Sequence, residues 1–269
     1  MAKILVAFEG VAPVASSIVQ VPKAFFSVNR SPKFTGVVAA DADNAWKESK
    51  EDDLAGQGRL QQLAQKMRAY AFESGLKVDV LPKLMFSSNQ IVEKTPFKDL
   101  MVMDYKACFN FVKGEGEDSD SSELFNVLRE SQCPILILPE QFEKVEHVVF
   151  CYDGRDSSLF AIKHFSVLFA KQLRDKVVTV LTVDPEEGEG IANEKELMGY
   201  LTHHFTNVGV KRIQGEDISQ EIYDFSSNLP DPLLVMGAYG RTQLSHTLVP
   251  SVARGIIFRK KLPVFITHK

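Results

Sequence analysis

The chain has 269 residues, 45% of them hydrophobic and 25% charged. That length suits two domains of ordinary size, each able to bury its own core, and the balance is that of a globular protein rather than a disordered or fibrous one. A formal net charge of -4 offers no blanket attraction to polyanions, which disfavours bulk nucleic-acid binding and adhesion to anionic membranes.

The opening apolar segment, Lys3 to Phe8, is too short for the core of a secretory leader, and no apolar run approaches the length needed to span a bilayer. An unexported, cytoplasmic protein is expected. In the first half, short apolar runs predict strands at Ile4 to Phe8, Phe34 to Ala39, Lys77 to Leu81, Leu100 to Met103 and Ile135 to Leu138, with a long helix from about Leu54 to Ser74. The segment GEGEDSDSS, beginning at Gly114, reads as a solvated loop. A cation site made by its Glu117, Asp118 and Asp120 is not expected, because their spacing matches no established calcium loop. The boundary falls near Pro139 to Lys144, giving domains over 1–142 and 143–269.

In the second half, apolar runs at His147 to Tyr152, Val177 to Val183, Val210 to Ile213, Pro232 to Met236 and Pro263 to Ile266 alternate with segments of helical period. Leu159, Ile162, Phe165, Phe169 and Leu173 recur at three-to-four spacing and predict a helix over Ser157 to Leu173. Leu197, Leu201 and Phe205 predict another over Glu194 to Phe205. Strands alternating with such helices imply right-handed crossovers and a parallel sheet of five strands in each half, covered on both faces.

The halves also resemble one another. KILVAFEG at Lys3 matches HVVFCYDG at His147, DLMVM at Asp99 matches PLLVM at Pro232, and CPILILP at Cys133 matches LPVFITH at Leu262. They differ most after the fourth strand. There the second half carries Gly237 and Gly240, residues that permit tight turning and close backbone approach, and a helix start is predicted near Ser251.

Counted from Gly237, the pattern is G-x2-G-x9-P-S. It closely resembles the G-x2-G-x9-G-(S/T) nucleotide loop of the universal stress protein family, with Pro250 in place of the third glycine. YDGRDSSLFAI, from Tyr152, resembles that family's opening strand and turn. The resemblance covers most of the chain and implies two tandem doubly wound α/β domains, each a five-stranded parallel sheet of the adenine nucleotide alpha hydrolase-like kind. It implies that ATP, with magnesium, or a related adenine nucleotide binds the C-terminal copy. Asp153 would contact the nucleoside, Thr182 and Val183 would meet the adenine through backbone groups, and Gly237, Gly240 and Ser251 would meet the phosphates with Arg241 offsetting charge. Members typically dimerise, so it further implies an internal pairing of the halves through their final strands, with homodimers and an unnamed protein partner beyond that.

Pro250 has no N–H, so a phosphate loses a donor there, while proline suits a helix's first turn. In the first copy Asp104 stands where Gly237 does, Glu9 stands for Asp153, and Glu115, Glu117, Asp118 and Asp120 follow. Such a carboxylate cluster repels a triphosphate, and none is expected there. Two readings stay open for the chain: a noncatalytic stress protein signalling through a nucleotide bound in its C-terminal domain, or a ligand-free scaffold that has lost it.

No nucleophile elbow, H-E-x-x-H pair or G-x4-G-K-(S/T) loop is present, so at most weak ATP hydrolysis is expected. The S-G-G-x-D-S and H-x-G-H signatures of ATP pyrophosphatases and nucleotidyl transferases are missing. His203 and His204 would point roughly 100° apart on a helix and share no metal; His164 and His246 have no evident partner. Cys108, Cys133 and Cys151 read as reduced core thiols, and Lys260 and Lys261 as the cationic end of a helix.

Overall fold

The chain divides into two units, Met1–Glu143 and Lys144–Lys269. The structure, a computed structural model, describes residues 2–9, 25, 33–39, 61–62, 65, 69, 78–80, 87–110, 122–184, 190–238 and 252–267.

In the first unit the strands are β1 (Lys3–Glu9), β2 (Lys33–Ala39), β3 (Val78–Val80), β4 (Leu100–Asp104) and β5 (Ile135–Leu138). All pair in parallel, in the order β3-β2-β1-β4-β5. Every residue from Ile135 to Leu138 is buried, as are Leu100 to Met103. A parallel sheet covered on both faces demands apolar side chains on both, so these strands read as continuous runs rather than alternating ones.

Three helices are described here: α1 (Ser88–Val92), α2 (Tyr105–Asn110) and α3 (Ser122–Glu130). A capping box starts α1: Ser87 Oγ accepts from the Gln90 N–H, and Gln90 Oε1 accepts from the Ser87 N–H. Of the predicted helix over Leu54 to Ser74, only Gln61, Gln62, Gln65 and Ala69 are described, and these are helical and exposed. The remainder lies outside the described residues.

In the second unit the strands are β6 (His147–Cys151), β7 (Val177–Asp184), β8 (Asn207–Gln214), β9 (Pro232–Gly237) and β10 (Val264–Thr267). They too are parallel, in the order β8-β7-β6-β9-β10. The helices are α4 (Asp156–Leu173), α5 (Glu194–His204), α6 (Ile218–Ser227) and α7 (Val252–Ile257). Right-handed crossovers step outward from β6 through α4 and α5, then return across the sheet through α6 and α7, which puts the two helix pairs on opposite faces. In agreement, α4 packs against α5 and α6 against α7.

The core under α4 is aromatic. Phe165 meets Phe265 edge-on at 5.2 Å and Phe150 at 5.7 Å, while Phe169 also meets Phe265, at 5.9 Å. Edge-to-face rings add about 0.5–1.5 kcal/mol per pair beyond their buried area. Ile162, Phe165, Phe169 and Leu173 are buried as the helical spacing predicted, but Leu159 is 37% exposed. Ser158 and Ala161 take that inner position, because the first turn of α4 presses so closely on β9 that only small side chains fit. The expected helix end at Lys260 and Lys261 is also corrected. The helix closes at Ile257, and Lys260 lies beyond it in a left-handed conformation, φ +56°, its N–H donating to the Ile257 carbonyl.

Among the described residues, no helix is long and apolar enough to cross a membrane.

Candidate functional site

In the second unit the strand order reverses between β6 and β9. Crossover helices leave that point toward opposite faces, and the carboxyl ends of β6 and β9 lie at this reversal, the place where open α/β sheets hold ligands. Asp153 follows β6 there. Its Oδ1 accepts the Arg155 N–H at 3.1 Å and the Ser158 hydroxyl at 2.7 Å, an Asx turn that leads the chain from strand into α4. Gly154 supplies the left-handed φ of +77° that this turn needs. Ser158 Oγ also lies 2.9 Å from the Arg155 carbonyl; with one proton, it donates to one acceptor at a time.

Arg155 faces the same carboxylate. Its Nε lies 3.8 Å from Asp153 Oδ2, and the two side chains are 52% and 54% exposed. At that distance and exposure the ion pair contributes little to stability. Arg155 is the N-cap residue of α4 and makes no side-chain capping bond.

Gly237, the last residue of β9, sits against the same turn from the other side. A Cβ built there would run into the backbone carbon and oxygen of Ser157 and come within 2.7 Å of the Ser158 nitrogen. Glycine at this position lets strand and helix touch backbone to backbone. Asp153 and Gly237 are thereby brought to one place, joined through the adjacent residues Ser158 and Ser157.

On the far side of β6, β7 outruns its neighbour. Cys151, the last residue of β6, pairs with Leu181, whereas β7 continues beside β8 to Asp184. The Leu181 carbonyl accepts from the Tyr152 N–H at 2.9 Å, and the Asp184 carbonyl from the Gly215 N–H at 3.0 Å. Since a parallel ladder alternates its sides, odd-numbered residues of β7 turn toward β6 and even-numbered ones toward β8. Val183 therefore turns its N–H and C=O to the side where β6 has ended. Thr182 turns its backbone to β8, and its buried hydroxyl donates to the Tyr152 carbonyl at 2.9 Å.

Sequence reasoning did not single out Tyr152, Asn193, Arg212 or Asp184, which shape this end of the sheet. Tyr152 is buried, and its hydroxyl bonds the side chain of Asn193. Burial raises its pKa, with Asp153 adding to the rise. Arg212 Nε donates to Asp184 Oδ2 at 3.0 Å. Arg155 and Ser158 were both legible as D-G-R-D-S-S following a strand, but which of them faces Asp153 depends on the turn. Cys151, beneath Asp153, has its thiol pushed up to about 12 by burial and the nearby carboxylate, so it is no ready nucleophile.

One buried group here has no partner. Thr267, at the end of β10, is 3% exposed, and among the described residues its Oγ1 makes no hydrogen bond. Phe265 packs on α4, so Thr267, two residues on, faces that helix as well. It stands directly opposite Gly237 in register, on the face of the sheet that α4 covers.

Gly240, Arg241, Pro250 and Ser251 lie outside the described residues, as does His246. In the first unit the matching strand end is built differently. β4 passes straight into α2, and Asp104 Oδ1 accepts the Ala107 N–H at 2.7 Å, a helix cap where the second unit has a bare glycine. Tyr105, Ala107 and Cys108 of α2 are buried against this sheet. Glu115, Glu117, Asp118 and Asp120 lie outside the described residues, and so does the side chain of Glu9.

The remaining candidates are accounted for by packing. All three cysteines are free and buried, and burial pushes the Cys133 thiol up to about 12. His203 and His204 stack edge to face at 5.4 Å on α5. His164 lies edge-on to Phe160 at 5.3 Å, with its Nδ1 buried and unbonded. Among the described residues, no group of three or more His, Cys, Asp or Glu could hold a metal ion.

No family model matches the chain. It is 22% identical to a universal stress protein of Synechocystis over 196 residues, 69% of this chain and 67% of that one. It is 29% identical to a universal stress protein of Methanocaldococcus jannaschii over 139 residues, 45% of this chain and 81% of that one. Among solved structures, a universal stress protein from Archaeoglobus fulgidus superimposes over 98% of this chain and 96% of its own, with a TM-score of 0.72 at 12% identity. A structure described as a putative universal stress protein from Pseudomonas aeruginosa covers 99% of this chain and 92% of its own, with a TM-score of 0.57 at 12% identity. The chain is thus similar in sequence to universal stress proteins, and it shares their doubly wound fold.

Proposed function

We propose that the C-terminal unit binds an adenine nucleotide, ATP with magnesium being the leading candidate, and uses it as a regulatory signal in the stress response without turning it over at any useful rate. The observation that carries this reading is the meeting of Asp153, the open Val183 edge and Gly237 at the strand-order reversal. A purine could pair its edge with the Val183 N–H and C=O as a further strand would, while Asp153 accepts from a ribose hydroxyl. Gly240, Arg241 and Ser251 belong to the same reading as phosphate contacts. The first unit takes no nucleotide, because Asp104 and α2 stand where the cradle would be. The chain is read as a doubled family domain, cytoplasmic, self-associating, and acting on a protein partner. The shared strand order of the two units supports that doubling.

Calorimetric titration of the full chain with ATP and magnesium tests the reading. Saturable binding with one nucleotide per chain is expected, and no heat at millimolar nucleotide would overturn it. A ligand-free scaffold is the second reading. It is favoured by the Asp153 carboxylate already being served by Arg155 and Ser158 within its own turn. Adenine nucleotide recovered from gently purified protein would reject it.

A further inference from the structure

We infer that Arg155 is a phosphate-recognising cation of the C-terminal unit, leaving the Asp153 carboxylate for the ligand's phosphate as Asp153 turns to the ligand's hydroxyls. This deepens the nucleotide reading and rests on it.

Three observations carry the assignment. First, Arg155 occupies a place where a cation is disfavoured. N-cap positions prefer Ser, Thr, Asp or Asn, and the helix dipole puts its positive end there. Arg155 caps nothing with its side chain, so helix formation does not explain it. Second, its ion pair is loose. Only Nε approaches Asp153, at 3.8 Å, with half the side chain in solvent, and among the described residues its two terminal nitrogens make no hydrogen bond. A guanidinium fork held this way can turn to a phosphate, for which its parallel donors are matched, at little cost in lost contacts. Third, Thr267, 97% buried by its 3% exposure and with a hydroxyl unpartnered among the described residues, stands opposite Gly237, the residue that abuts this same helix turn. An orphaned buried hydroxyl is costly in the free protein, a sign that this end of the unit is short of a polar partner.

The test compares adenosine, ATP with magnesium, and inorganic tripolyphosphate on the full-length wild-type chain, Arg155→Gln and Arg155→Lys, with circular dichroism to confirm folding. The wild type should bind ATP more tightly than adenosine. Arg155→Gln should weaken ATP and tripolyphosphate roughly ten- to hundredfold while leaving adenosine unchanged, and Arg155→Lys should recover part of the loss. Equal ATP affinity in wild type and Arg155→Gln overturns the assignment, as does a loss shared equally by adenosine and ATP. Arg155-dependent binding of tripolyphosphate without adenosine binding would sustain the cation and remove the nucleotide reading. Binding of neither probe by the wild type removes both.

Discussion

Replacing Gly237 by alanine places a methyl group where the backbone of Ser157 already lies, within 2.7 Å of the Ser158 nitrogen. Real Cβ atoms do not approach that closely, so something must move. A flexible side chain could rotate aside, but the obstacle is main chain at the start of α4, an 18-residue helix whose Phe165 and Phe169 are locked against Phe265. Overpacking of this kind costs about 1–3 kcal/mol. Restricting the unfolded chain by the Gly-to-Ala change returns about 0.4–1 kcal/mol. A net loss of about 1–2 kcal/mol is expected, lowering the midpoint of the second unit by about 4–10 °C. The single tryptophan, Trp46, lies in the first unit, so far-UV circular dichroism is the suitable probe. A midpoint within about 1 °C of wild type would refute the packing argument. A variant that kept its stability yet lost ligand would show that the glycine serves the ligand rather than the helix.

Asp104→Ala removes the cap of α2 and should cost about 1 kcal/mol, seen as faster amide exchange across Tyr105–Asn110; unchanged exchange would deny the cap. Thr267→Val removes a buried hydroxyl that has no partner and should stabilise the ligand-free protein by about 1 kcal/mol in urea, whereas destabilisation would reveal a bond to that oxygen. Burial holds the imidazoles of His147, His164 and His204 below their ordinary value, and for His204 the nearby His203 and Arg174 add to this. The unfolded chain then binds more protons than the folded one. Stability should be complete above about pH 6.5 and decline as the pH falls from there through the lowered folded values. A urea midpoint that stays flat or rises between pH 7 and 5 would contradict this, and His147→Gln should flatten the slope.

The strands of both units were legible because a parallel sheet buried on two faces needs unbroken apolar runs, and ILIL at Ile135 or PLLVM at Pro232 have no other economical use. The short helices were not. Tyr105–Asn110 and Val252–Ile257 offer too few turns to display a period, and α2 depends on one capping carboxylate. Leu159 was misplaced for a related reason. Helical spacing fixes which residues share a face, but the distance from α4 to β9 decides whether a leucine or a serine fits beneath.

The amino-acid sequence by itself determined the strand and helix pattern and the motif residues, since these follow from local periodicity and turn chemistry. Tertiary structure alone decided what those residues do for one another. Gly237 meets Ser157 because two separate crossovers end at one height, and Val183 rather than Thr182 turns to the open edge because β6 stops three residues short of β7. Arg155 reaches Asp153 because Gly154 bends the chain at positive φ. Each depends on register and the meeting of distant segments, and no window of neighbouring residues contains that information.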